Sequence, residues 1–303
     1  MGKTAVAIEL ALRRGGEVLS ADSRQVYRGM EIGTAQPSPA ERARVPHHLI
    51  DFADPLRHYT AADFAREGRR VLAELDRRRV PAIVVGGSGL YLTALVDGLF
   101  AGPPRDPSLR AALEARAERE GTPALHAALA AVDAESAERL HPNDRVRLIR
   151  ALEVHAQTGR PLSALRREAA WPSLRARTRI AVLDRDLADL DRRIAVRTAA
   201  MFASGLLAEA AALRARGLGP AQAAARTIGY HEAFAVLAGT MDLDAAVTAA
   251  TRATRQFARR QRTWFRAEAA ARWVFLAPEE PPAATADRLA ALLVGDAFGG
   301  HDA

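Results

Sequence analysis

MGKTAVAIELALRRGGEVLSADS, residues 1–23, joins an amphipathic helical stretch to a short apolar strand, and that junction decides the fold. Apolar side chains recur with helical period over residues 4–14, and GEVLSADS (16–23) is an apolar run that turns polar at its end. A strand buried on both faces of a parallel sheet has this pattern. RRVPAIVVGGSGLYLTAL (78–95) repeats it: Ala82 to Val85 form a strand, Gly86 and Gly87 a tight turn, and Ser88 opens a helix. Strands alternating with helices predict an α/β chain with a parallel sheet. Further strands are expected at TRIAVLD (178–184) and RWVFLA (272–277), and a terminal helix from about residue 284. From GPPRDPSLRAALEARAERE to residue 177, proline and glycine punctuate helices and no strand pattern occurs. The expected organisation is a core of residues 1–102 and 178–303 interrupted by an all-helical insertion domain, 103–177.

At 303 residues the chain can bury a sizeable core. No apolar run approaches the roughly 18 residues of a membrane span. Glu9, Arg13 and Arg14 break the apolar N-terminal stretch, which argues against a signal peptide, so a cytoplasmic protein is expected. The absence of cysteine excludes disulfides and thiolate zinc sites. The balance of 43 Lys+Arg against 36 Asp+Glu gives +7, almost all of it arginine, whose planar fork suits phosphates. GC-rich coding produces such a composition equally well, so position has to decide whether a polyanion is the partner.

Gly2-Lys3-Thr4 is the tail of a phosphate-binding loop, G-x-x-x-x-G-K-[ST]. In such a loop lysine supplies an ammonium to the terminal phosphates, threonine a hydroxyl to Mg²⁺, and the following helix its positive dipole end. In SADSRQVYRGMEIGTAQP (20–37), Asp22 falls at the carboxyl end of a predicted strand, where open α/β sheets bind ligands. A carboxylate there acts as a general base or caps the next turn beside Ser23, and the residues alone admit both. RATRQFARRQRTWFR (252–266) sets Arg252, Arg255, Arg259, Arg262 and Arg266 on one helix face, in a window without any acid. Phe257, Trp264 and Phe265 fall largely on the other side, so the helix is expected to pack on the core while offering guanidiniums to phosphates. His47 and His48 point apart with no third ligand at a useful spacing, so a metal pair is not expected.

With GKT at the start, the blocks ADSRQVYRGMEIGTAQP (21–37), PHHLID (46–51), VVGGSGLYL (84–92), HPNDRVRLIRALEV (141–154), RTIGYHEA (226–233) and TRQFARRQRTWFR (254–266) follow in one order. In these seven blocks the chain resembles the bacterial tRNA dimethylallyltransferases over nearly its whole length. The resemblance implies a P-loop NTPase-like parallel sheet flanked by helices, with an all-helical insertion domain that contacts tRNA. It implies transfer of a dimethylallyl group from dimethylallyl diphosphate to N6 of the adenosine just 3′ of the anticodon, by a monomer. Asp22 is then the base, and Gly2, Lys3 and Thr4 with Mg²⁺ hold the diphosphate together with Arg197 of DRRIAVRTAAM (191–201). The phosphate loop would serve a leaving group, so ATP is not obligatory. The implied tRNA contacts are Asp22, Ser23, Arg24, Gln25, Ser88, Arg110, Val146, Arg147, Leu148, Ile149, Arg150, Arg226, Thr227, Ile228, Gly229, Tyr230 and His231. Arg255, Arg259 and Arg262 join them from the arginine row. Arg147 and Arg150 are expected to project together from a helix capped by Asn143 or Asp144.

The chain departs from the family pattern in two places. Gln36 stands where the family has lysine, removing a cation near the substrate mouth. The family also places a strand and G-[PA]-T-x-x before G-K-T; the first strand and the first half of the loop are missing from this chain, and a longer natural protein is expected. Two rival activities share some of these features: a P-loop nucleotide or small-molecule kinase, and a non-catalytic RNA-binding module. The arginine row and the long Asp22 block argue against the first. A module would have no reason to keep Lys3, Thr4 and Asp22 together.

Overall fold

The computed structural model describes residues 2–100, 102–168 and 171–294. It divides into two compact units, one formed by Met1–Val96 with Leu174–Ala303, the other by Asp97–Ser173.

The larger unit starts with helix α1 (Lys3–Arg14), which Gly15 ends in a left-handed conformation, φ 60°. Gly16 N–H then closes back on Ala11 O, a Schellman-type stop. Strand β1 (Glu17–Ala21) follows and is buried along its whole length. The short helix α2 (Pro39–Arg44) is fixed by a Ser38–Glu41 capping box, and β2 is only His47–His48. Helix α3 (Ala61–Arg77) starts at a second such box, Thr60–Asp63, and leads to β3 (Ala82–Gly86) and α4 (Gly89–Asp97). The three strands form a parallel sheet in the order β2-β1-β3, with Val18 opposite His47 on one side and Ile83 on the other.

The smaller unit is wholly helical among its described residues: α5 (Pro107–Glu120), α6 (Thr122–Val132), α7 (Ala134–Arg139), α8 (Arg145–Thr158) and α9 (Leu162–Glu168). Leu125, Leu129, Leu148, Ile149, Ala151 and Val154 form its separate core.

The chain returns to the larger unit with β4 (Ile180–Arg185), α10 (Leu187–Ala203), α11 (Leu206–Ala215), α12 (Tyr230–Leu237) and α13 (Leu243–Arg266). It closes with β5 (Ala271–Leu276) and α14 (Pro282–Val294). β4 and β5 make a separate two-stranded parallel sheet. The expected strands are all present, and β2 is additional, being too short to carry an apolar period. No single described helix is long and apolar enough to cross a membrane.

Helix α1 lies between the two sheets. Ala7, Ile8 and Ala11 join Val18, Ile83 and Val85 in one cluster, whereas Val6 joins Val274, Leu276 and Leu289 of β5 and α14 in another. The β1–β3 pairing is tight at its carboxyl end, because a Cβ on Gly86 would stand 2.1 Å from Ala21 O. Gly86→Ala is therefore expected to destabilise the larger unit by about 1–3 kcal/mol, the usual cost of overpacking. A urea-unfolding midpoint equal to that of the wild type would show that the strands are not so closely apposed.

Candidate active site

The carboxyl ends of β1 and β3 and the amino end of α1 carry Asp22, Ser88 and Gly2-Lys3-Thr4. Gly2 takes a left-handed conformation, φ 76°, and no side chain caps the helix behind it. The first amides of α1 are thus left for an external acceptor, the arrangement that binds anions. The Thr4 hydroxyl has no hydrogen-bond partner among the described residues. Lys3 is half-buried, and loss of hydration lowers its pKa; the Asp22 charge opposes that shift and the Arg197 charge adds to it. Arg197, on α10, is exposed. Partial desolvation by the surrounding protein lowers its pKa, and Asp22 again opposes the shift. Lys3, Asp22 and Arg197 therefore lie within electrostatic reach of one another. Of the 43 basic residues, Lys3 alone is lysine.

The capping reading of Asp22 is met by one of its two oxygens. Its Oδ1 accepts hydrogen bonds from Arg24 N (2.8 Å) and Gln25 N (3.4 Å), so it caps the turn. Its Oδ2 accepts nothing among the described residues. One oxygen is fixed by the turn and the other is left without a protein partner among the described residues. Ser23 N donates to Ser88 Oγ (3.0 Å), and Ser88 Oγ–H donates to Ser23 Oγ (3.2 Å), tying this turn to the glycine turn after β3. Arg24 donates to Ala223 O (3.0 Å).

Gln25 is held by its own side chain. Its amide donates to Thr34 O (3.2 Å) and Ala35 O (3.0 Å), and Ser20 donates to its Oε1 (3.0 Å). Gln36 donates to Gln25 O (3.0 Å) and accepts from Arg42, so a guanidinium stands beside the position where the family's lysine is lacking. The histidine pair divides: His48 bonds Glu17 (2.6 Å), which Arg78 also grips, while His47 bonds Val45 O (2.7 Å).

No cluster of three metal-ligating side chains occurs among the described residues. The free Thr4 hydroxyl suits Mg²⁺ bound largely through phosphate oxygens and water, since that ion keeps several waters and takes few protein ligands.

The remaining expected contacts separate by burial. Val146 and Arg147 are exposed, but Leu148 and Ile149 belong to the core of the helical unit. Helical period turns two of four consecutive residues inward, which corrects their reading as direct tRNA contacts. Thr227, Gly229 and Tyr230 are likewise buried, Ile228 is half-buried, and Arg226 and His231 are exposed. Asp144, not Asn143, caps α8. Arg147 pairs with Asp144 (3.3 Å) and Arg150 with Glu153 (2.9 Å), so the two arginines do not project together. Arg150 instead converges with Arg110 on Glu153, which is fully buried.

The arginine row is partly paired within the protein. Arg259 pairs with Asp191 (2.9 Å), Arg255 donates to Asp191 O (3.3 Å), and Arg262 pairs with Asp184 (2.8 Å). These acids lie on β4 and α10, where inspection of the α13 window alone could not find them. The core contact of α13 is made by Ala246 and Ala250, while Phe257 and Trp264 are each 41% exposed. The C-terminal half of the helix lies over the glycine turn instead. Gln261 donates to Gly87 O (2.9 Å), and the Trp264 indole occupies the space a Cβ on Gly89 would need.

Asp189 secures the amino end of α10. It accepts from Arg185, Arg192 and Arg193 and is nearly buried. The Arg185 hydrogen bond is the main cause that holds its pKa down at about 2, against 3.8 ordinarily. A depressed pKa contributes stability that is complete above the unfolded value and lost as pH falls through the folded one. Asp189→Asn should accordingly lower the melting temperature near neutrality, with the difference from wild type shrinking between pH 4 and about 2. A difference that stays constant over this window would contradict the assignment.

Residues 25–268 match the family model described as IPP transferase. The chain is 50% identical over 276 residues to a tRNA dimethylallyltransferase of Geobacter sulfurreducens, covering 90% of this chain and 88% of the relative. It is 49% identical to one from Anaeromyxobacter dehalogenans, covering 95% of both chains. Among solved structures it is similar to the full-length tRNA isopentenylpyrophosphate transferase of Bacillus halodurans, with a TM-score of 0.68, 35% identity, and 96% and 93% of the two chains covered. A eukaryotic dimethylallyltransferase acting on tRNA matches with a TM-score of 0.74 and 25% identity, covering 90% of this chain and 71% of that one.

Proposed function

Because the chain belongs to the IPP transferase family, we propose that it transfers a dimethylallyl group from dimethylallyl diphosphate to a tRNA adenosine, at N6 of the base just 3′ of the anticodon. The observation that carries this reading is the mutual electrostatic reach of Lys3, Asp22 and Arg197 beside an uncapped helix amino end. The N6–C1 bond forms as the C1–O bond to diphosphate breaks. The N6 proton passes to Asp22 Oδ2, and diphosphate leaves with the bonding electrons. Oδ1, held by Arg24 N and Gln25 N, keeps the base aligned.

The first amides of α1, the Lys3 ammonium and the Arg197 guanidinium meet the charge that develops on the leaving oxygens. Donors fixed in advance stabilise that charge most. We read Gly2-Lys3-Thr4 in this sense as a P-loop-like cradle. Mg²⁺ held by Thr4 would supply further neutralisation of the diphosphate. Exposed Arg147, Arg226 and His231 are the proposed contacts for the tRNA, with the partly paired Arg255, Arg259 and Arg262. Extruding the target base from its loop costs a few kcal/mol, which such contacts would offset.

Incubation with dimethylallyl diphosphate and unmodified tRNA should yield prenylated adenosine and diphosphate. ADP formed from ATP without tRNA would favour a kinase, and binding without turnover an RNA-binding module. Asp22→Ala should lower kcat by about 10²–10⁴ with little change in tRNA affinity, as loss of a general base does. Equal losses in rate and affinity would remove Asp22 from that role. Arg197→Ala should raise KM for dimethylallyl diphosphate and leave tRNA affinity unchanged; an unaltered KM would exclude the clamp.

A further inference from the structure

We infer that Glu209 is a positioning residue for Asp22, acting through the turn at residues 30–36; the inference rests on the prenyl-transfer reading above. Glu209 stands on α11, away from the loop it controls. Its Oε2 accepts from Glu31 N (2.9 Å) and Ile32 N (3.0 Å), and its Oε1 from Gly33 N (3.3 Å) and the Tyr230 hydroxyl (2.5 Å). Three successive amides thus surround one carboxylate, the concave arrangement by which backbone N–H groups hold an anion. Tyr230 is fully buried, and burial raises its pKa so that it remains a donor. Its ring lies where a Cβ on Gly33 would come within 2.4 Å of Cε2, so only glycine lets the turn close on it.

From this anchored turn a continuous path leads to the base. Thr34 O and Ala35 O accept from the Gln25 amide, and Ala35 itself sits in the left-handed region, φ 50°. Gln25 is held from the other side by Ser20, and the backbone amides of Arg24 and Gln25 bind Asp22 Oδ1. Such a left-handed alanine persists only where the surroundings impose it. Releasing the turn lets Gln25 shift, and with it the direction of Oδ2. Displacement of a catalytic group by about 1 Å can cost on the order of 10² in rate.

Glu209→Gln should lower kcat about tenfold with both KM values within about twofold, because a partial displacement impairs proton transfer and not binding. Amide hydrogen exchange at residues 31–33 should quicken, and Glu209→Asp should restore part of the rate. In an Asp22→Ala background, Glu209→Gln should bring no further loss, since the group it aligns is gone. An unchanged kcat with quickened exchange, or an equal loss in both backgrounds, would overturn the inference and leave Glu209 a structural residue only. Wild-type turnover by Asp22→Ala alone would instead remove the base on which the inference rests, and it would do so whatever Glu209→Gln does.

Discussion

The burial of α1 against two strand pairs is the contact on which the larger unit depends. Ile8 is fully buried against β1 and β3, and Val6 is turned toward β5 and α14. Each such side chain stabilises the fold by about 1.5–3 kcal/mol relative to exposure. The helix cannot serve both sheets unless its axis is fixed. That fixes its amino end in turn, and so the direction in which Lys3 and the first amides point. Packing and chemistry share one element here: the buried stripe sets the orientation, and the uncapped end uses it.

A second principle is that carboxylates place the arginines. Glu153 draws Arg110 and Arg150 together, Asp189 gathers three guanidiniums at the start of α10, and Asp191 and Asp184 engage α13. A net charge of +7 therefore does not mean a surface of unengaged cations. A phosphate that docks on α13 exchanges with an internal carboxylate and releases fewer free counterions than five guanidiniums imply. Binding there would depend less steeply on salt than the length of the row suggests.

Much of this was legible in the sequence. The strands at 82–85 and 178–184 are apolar runs ending in polar or glycine residues, and the chain contains little else that could fill a parallel sheet. The position of Asp22 directly after β1 is legible too, because the apolar run turns polar there. What escaped was whatever depends on two distant segments meeting. Leu148 and Ile149 lie within a motif that resembles the family as one continuous block, and helical period buries half of such a block. Glu209, Asp184 and Asp191 occur in stretches with no motif, and their importance arises only when α11, β4 and α10 approach the loop or helix they hold. Helical period points Phe257 and Trp264 away from the arginines, but α13 meets the core through small alanines nearer its start.

Lys3 carries a consequence for reactivity. In a chain that otherwise uses arginine for every basic side chain, it offers the single side-chain amine. Loss of hydration lowers its pKa, so more of it is neutral at a given pH than an exposed lysine would be. Acylating or reductively alkylating reagents find one ε-nitrogen in the folded chain, and on the reading proposed above a bound diphosphate would shield it. The extent of labelling at that nitrogen would then gauge how far the amino end of α1 is occupied.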